Sequence, residues 1–215
     1  DLGYADTFVA RAAEFSHRLN ELEEIERQYD VSESLVTSVN DAFVRYSNQF
    51  ARLVALQQVI GLDENSGHQG SFRNAVHQLE DLFATNNMDD YSVQLLQLRR
   101  HEKDFMLRQD LRYSTDHQAV YQRLRGQLEN SSLAFARQGI TLLDDYRDGF
   151  LGLVAASEEM GLDASSGLRA SFRDAAQTIE QQLVAMISTL SPLIVRRQSE
   201  VRRSGLVIVV VTAIA

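Results

Sequence analysis

GLDENSGHQGSFRNAVHQLE, residues 61–80, returns as GLDASSGLRASFRDAAQTIE, residues 161–180, after an offset of one hundred. The register holds upstream without a gap. Tyr46 matches Tyr146, Phe50 matches Phe150, and Leu53, Val54 and Ala55 match Leu153, Val154 and Ala155. In each copy an apolar run at helical spacing leads into a turn containing glycine, and a second such run follows. The chain therefore reads as all-α and built from two related helical modules.

Composition narrows the function classes. A net charge of −9 argues against nucleic acid, which demands a basic face. The absence of cysteine removes disulfides and thiolate chemistry. One proline and eleven glycines leave little material for strands and hairpins. Lys103 is the only lysine among the 21 basic residues, and arginine is the better partner for a carboxylate held in two-point contact.

The pattern predicts six helices, two long and four short. Residues 5–60 hold neither Pro nor Gly, and Phe15, Leu19, Leu22, Val36, Val39, Phe43, Tyr46, Phe50 and Leu53 recur at helical spacing. They read as one unbroken rod. Short helices follow over about 70–86 and 90–110. A second rod, capped by Ser114, Thr115 and Asp116, runs to about Met160 despite Gly126, Gly139 and Gly149. A helix over 169–188 comes next, and Ser191-Pro192 starts the last one. If both rods are shared, the six helices make two stacked four-helix bundles. The distal module would take about 38–135, and the proximal module about 1–37 with 136–204. In this tracing the Gly61 turn lies far from the membrane and the Gly161 turn beside it.

Residues 205–215, GLVIVVVTAIA, carry no charge and read as the start of a transmembrane helix. That run falls short of the ~20 apolar residues a full span needs. Arg202 and Arg203 weakly favour a cytoplasmic body by the positive-inside rule. Two arginines are a small bias beside an acidic chain, and the expected location is periplasmic.

Two stacked four-helix modules followed by a membrane span resemble the helical bimodular sensor domain of bacterial methyl-accepting chemotaxis receptors. The phrases that carry the resemblance are GLDENSGHQGSFRNAVHQLE, LLQLRRHEKDFMLRQD at residues 95–110, and the GLD turn repeated at Gly161. It implies a periplasmic ligand-binding region between two transmembrane helices, a homodimer in the receptor, and small organic acids as ligands.

Site residues follow from helical geometry alone. Arg11, Phe15, Arg18 and Leu22 are spaced i, i+4, i+7, i+11, which sets both arginines near the apolar stripe. Charges there need partners. Arg11, Arg18 and Arg173, with the Tyr146 hydroxyl, are expected to converge on a carboxylate ligand in the proximal module. The alternative is internal pairing with Glu14, Asp174 or Glu180. A parallel distal set joins Arg73, the repeat partner of Arg173, to Arg99 and His77. Glu102 falls on the stripe with Leu95, Leu98 and Phe105 and could equally serve as a structural counter-ion for Arg73 or Arg99.

Other constellations dissolve. Residues 63–67 open like a calcium loop, but its sixth and twelfth positions are His68 and Asn74. The five histidines lack metal-ligand spacing. There is no nucleophile elbow and no phosphate-binding glycine loop. No enzyme, metal or cofactor is expected. A sensor of small carboxylates, in a chemoreceptor or a membrane histidine kinase, stands against a helical stalk that binds no ligand.

Overall fold

The computed structural model describes residues 3–28 and 35–214, and the side chains of all of these except 25, 26, 28, 193, 194 and 196–214. The described residues form seven helices and no strand: α1 (Gly3–Gln28), α2 (Leu35–Ile60), α3 (Gly67–Thr85), α4 (Asp89–Arg108), α5 (Arg112–Glu129), α6 (Ala136–Met160) and α7 (Gly167–Ile214). They divide into two compact units. One is Gln49–Ser171; the other comprises the described parts of 2–48 and 172–215.

In the first unit α3, α4, α5 and α6 pack in a closed ring, each against the next and α6 against α3. The buried positions explain the ring. Leu95, Leu98, Glu102 and Phe105 on α4 and Leu143, Tyr146, Phe150 and Leu153 on α6 alternate steps of three and four. That spacing keeps one seam facing inward on a bundle of slightly inclined helices. Phe72, Val76, Leu79 and Phe83 from α3 meet Val120, Tyr121, Leu124 and Leu128 from α5 in the same core. Each such side chain contributes roughly 1.5–3 kcal/mol by leaving water.

α6 runs antiparallel to α3 with glycine at the seam. A Cβ on Gly149 would stand 2.9 Å from the Phe72 Cβ, and one on Gly152 would enter the His68 ring. The antiparallel course brings the end of α6 beside the start of α3. Ile60 and Met160, which precede the two repeated turns, share the lining of one small cavity. Arg52 and Glu159 meet at 3.5 Å. The Gly61 and Gly161 turns thus lie at one end of this unit, and their expected separation to opposite ends is overturned.

The two turns are built alike. Gly61, Gly67, Gly161 and Gly167 all have positive φ, where a side chain is strained. Asp63 accepts the Asn65 amide at 2.9 Å, and Asp163 accepts the Ser165 amide at 2.7 Å. Hydrogen bonds from Ser165, its side chain first, lower the Asp163 carboxyl below its ordinary value.

The second unit has its own core of Leu19, Val36, Val39 and Met186, edged by Phe15, Leu22, Leu35, Leu183 and Leu190. The tilted rings of Phe15 and Phe43 lie 4.4 Å apart and Phe8 lies 5.7 Å from Tyr46. Along a straight helix residues 15 and 43 would stand about 40 Å apart at 1.5 Å per residue. The first rod is therefore two helices, α1 and α2, lying side by side, and its segment 29–34 lies outside the described residues. Phe172 stacks on Tyr46 at 4.8 Å, the repeat counterpart of Phe72 beside Tyr146 at 6.2 Å.

The other expectations change as well. The second rod breaks at 130–135 into α5 and α6. Asn130 and Ser131 turn their side chains onto the Gly126 and Leu128 carbonyls, closing α5 in place of a further turn. α5 begins at Arg112, ahead of Ser114, because Asp110 accepts the Arg112 amide at 2.9 Å. Pro192 lies inside α7, where it starts nothing. Its lost donor affects one turn, while Leu183, Met186 and Leu190 hold the preceding turns to their unit. α6, which the sequence reading assigns to the proximal module, packs with α3 and α5 and so closes the ring with α4. Among the described residues no helix is long and apolar enough to cross a membrane.

Candidate functional site

A cleft of about 270 Å³ opens between α3 and α4. Its apolar wall is Phe72, Val76 and Met106. Its polar wall combines Arg73 and His77 from α3 with Arg99, Glu102 and Lys103 from α4, and Glu64 and Gln69 close one end. The α3 groups recur because 69, 72, 73, 76 and 77 fall on one helical face. The α4 groups come together because Arg99 and Lys103, four residues apart on one face, lie beside the seam position Glu102.

Glu102 is the anchor. Only 1% of it is exposed, although its neighbours in the seam are Leu98 and Phe105. Such a carboxylate needs donors. The Tyr146 hydroxyl donates to one oxygen at 2.8 Å, and the Lys103 ammonium reaches the other at 2.6 Å. Burial, reinforced by the Glu102 charge, holds the Tyr146 phenol well above its ordinary value, so it remains a donor.

The remaining cations are paired towards the opening. Arg73 lies 3.3 Å from Glu64 and 3.4 Å from the His77 ring. Arg99 pairs with Glu80, and His77 approaches the same Glu80 at 3.1 Å. Glu64 and Lys103 are mostly exposed, with 69% and 60% of their side chains in solvent, so their pairs are weak. Behind the cleft His117 is fully buried, 4.2 Å from Phe150 and 5.3 Å from Tyr146 between ring centroids. Burial, with a smaller contribution from His101, lowers it to about 3.

The structure thus brings together the distal set of Arg73, Arg99 and His77, with Glu102 as the counter-ion partner of Lys103. Arg11, Arg18 and Arg173 are exposed, and Arg18 pairs with Glu21 at 3.1 Å in place of Glu14, Asp174 or Glu180. Tyr146 belongs to the Gln49–Ser171 unit, where Glu102 takes its hydroxyl. On α1 the arginines flank the stripe of Phe15, Leu19 and Leu22, and their side chains carry the charge outward to water.

Reading the sequence missed Lys103, Glu64 and Gln69. A signal for two of them lay in the repeat. Phe72 and Arg73 recur as Phe172 and Arg173, whereas Glu64, Gln69 and His77 become Ala164, Arg169 and Gln177. The copies keep their scaffold and diverge at the cleft. Gln69 and Met106 also line a second cavity of about 120 Å³, with Ile60, Ser157, Met160, Gly161 and Arg169. No group of His, Asp and Glu among the described residues is arranged to hold a metal ion. Comparison with family models, with curated proteins and with solved structures gives no match.

Proposed function

We propose that the chain is the extracytoplasmic ligand-binding sensor region of a transmembrane chemoreceptor, holding a small carboxylate between α3 and α4. The observation that carries this reading is the cleft, where Arg73, His77 and Arg99 gather above the buried Glu102. The resemblance noted in the sequence supports it through residues 61–80 and 95–110, which supply both walls. It does not rest on the tracing through two long rods.

In this reading the receptor is a homodimer facing the periplasm and made of two helical bundle modules. Helices on either side anchor it, and the uncharged run at 205–215 enters lipid. A bound ligand can bias such a receptor only by its differential affinity for the two arrangements of the helices. α7 carries the difference onward. A membrane histidine kinase could use the same region.

A helical stalk without a ligand is the second reading, favoured by the carboxylate partner that each cleft cation already has. Thermal unfolding against a panel of organic acids, amino acids and amines separates the two. A ligand at a hundredfold excess over its dissociation constant stabilises by about 2.7 kcal/mol. Its effect is expected to disappear in Arg73→Ala. No shift with any compound favours the stalk.

A further inference from the structure

Counter-ions in the cleft point to the chemical class of its occupant, an inference that rests on the carboxylate-sensing reading. Three cations, Arg73, Arg99 and Lys103, face three carboxylates, Glu64, Glu80 and Glu102. Their formal charges cancel. A simple anion entering this balanced and partly dry space would leave a net negative charge. A molecule carrying both signs would not.

The pairs differ in how easily they exchange. Arg99 and Glu80 are each about one-third exposed and hold one another. Glu64 and Lys103 are rim side chains, mostly in water, and each occupies a deeper partner: Glu64 on Arg73, Lys103 on the buried Glu102. Glu64 can swing into solvent at little cost, and Lys103 can do so when another cation takes its place on Glu102. What it leaves behind is an arginine beside His77 on α3, and a buried carboxylate still holding the Tyr146 hydroxyl on α4.

We propose that the cleft binds a zwitterion of the amino-acid class. Its carboxylate displaces Glu64 from Arg73, and its ammonium displaces Lys103 from Glu102. The two rim side chains hold the places of the ligand's own charges while the cleft is empty of it. Gln69 and the apolar wall of Phe72, Val76 and Met106 receive the carbon chain.

Isothermal titration of the full chain with four five-carbon compounds tests this: pentanoate, pentylamine, L-norvaline and 5-aminopentanoate. At least one zwitterion is expected to bind roughly tenfold tighter than pentanoate and pentylamine, since each adds one charge-assisted contact. Lys103→Ala removes the internal competitor for Glu102 on an exposed side chain. It is expected to tighten zwitterion binding severalfold and to leave pentanoate binding no tighter than before. Glu102→Gln is expected to abolish the preference for an ammonium group. Pentanoate binding as tightly as both zwitterions, or Lys103→Ala weakening the zwitterion, overturns the proposal and leaves carboxylate sensing standing. No binding by any of the four, together with no thermal shift across the wider panel, overturns both.

Discussion

His117 is fully buried against Tyr146 and Phe150, and neither ring nitrogen has a hydrogen-bond partner among the described residues. A neutral imidazole tolerates that position; an imidazolium does not. Its folded value, lowered to about 3, lies below the ordinary 6.5 of the unfolded chain. Between those values the unfolded state binds the extra proton. Stability from this residue is therefore complete above 6.5 and declines as pH falls towards 3. The slope approaches about 1.4 kcal/mol per pH unit. Urea unfolding between pH 7 and pH 4 is expected to show this decline in the wild type and a shallower one in His117→Leu. Equal slopes for the two proteins would place the acid sensitivity elsewhere.

Legibility differed sharply between residues of similar chemistry. Arg73, Arg99 and Glu102 were readable because apolar neighbours at steps of three and four fix which face they share. Arg11 and Arg18 satisfy nearly the same spacing, yet they sit at the edge of their stripe and both are exposed. Spacing determines the face of a helix; it does not determine whether that face meets a second helix. Lys103 and Glu64 were hidden for the opposite reason. They lie on the rim, where a solvated position and a ligand-facing one have the same pattern.

At the scale of helices, glycine decides how closely α3 and α6 approach. A methyl group at Gly149 would press on Phe72 at 2.9 Å, while one at Gly126 on α5 would meet nothing within 4 Å. The same substitution should therefore have opposite signs on two helices of one bundle. Gly126→Ala is expected to stabilise by about 0.5–1 kcal/mol through helix propensity. Gly149→Ala is expected to destabilise by about 1–2 kcal/mol, overpacking exceeding the same propensity gain. Chemical unfolding midpoints measure both, and a gain at Gly149 would refute the tight seam.

The helix ends show where a single sequence is informative. α3 and α4 are bounded by Gly67, Asn86, Asn87 and Asp89, strong signals of turn and cap, and their expected limits hold within a few residues. Between α1 and α2 the sequence holds neither Gly nor Pro, so nothing local announces that the rod is two helices. At Asn130 the signal is a polar trio in an otherwise periodic run, and competition for the preceding carbonyls, a weak preference, closes the helix. Pro192 fits a first-turn position as well as an interior one. Tertiary packing chose the interior.

Across the molecule, the two hydrophobic cores share no residue. The Gln49–Ser171 unit buries aromatic and aliphatic side chains from all of α3 to α6, whereas among the described residues of the other only Leu19, Val36, Val39, Ala42 and Met186 are buried. Stability should follow this difference, since opening free energies track buried apolar contact. Hydrogen exchange is expected to release amides of residues 3–28 well before those of 95–105 and 143–154. Uniform protection of both sets would show a single cooperative unit.

Gln69 and Met106 are a thin partition with a chamber on either side. One chamber holds the charged cleft; the other is bordered by Arg169, in the opening turn of the 48-residue helix α7. Any occupant large enough to push this partition takes room from Arg169, whose guanidinium leans on the Gly161 carbonyl at 3.3 Å. Only these two side chains stand between the charged cleft and the first turn of α7.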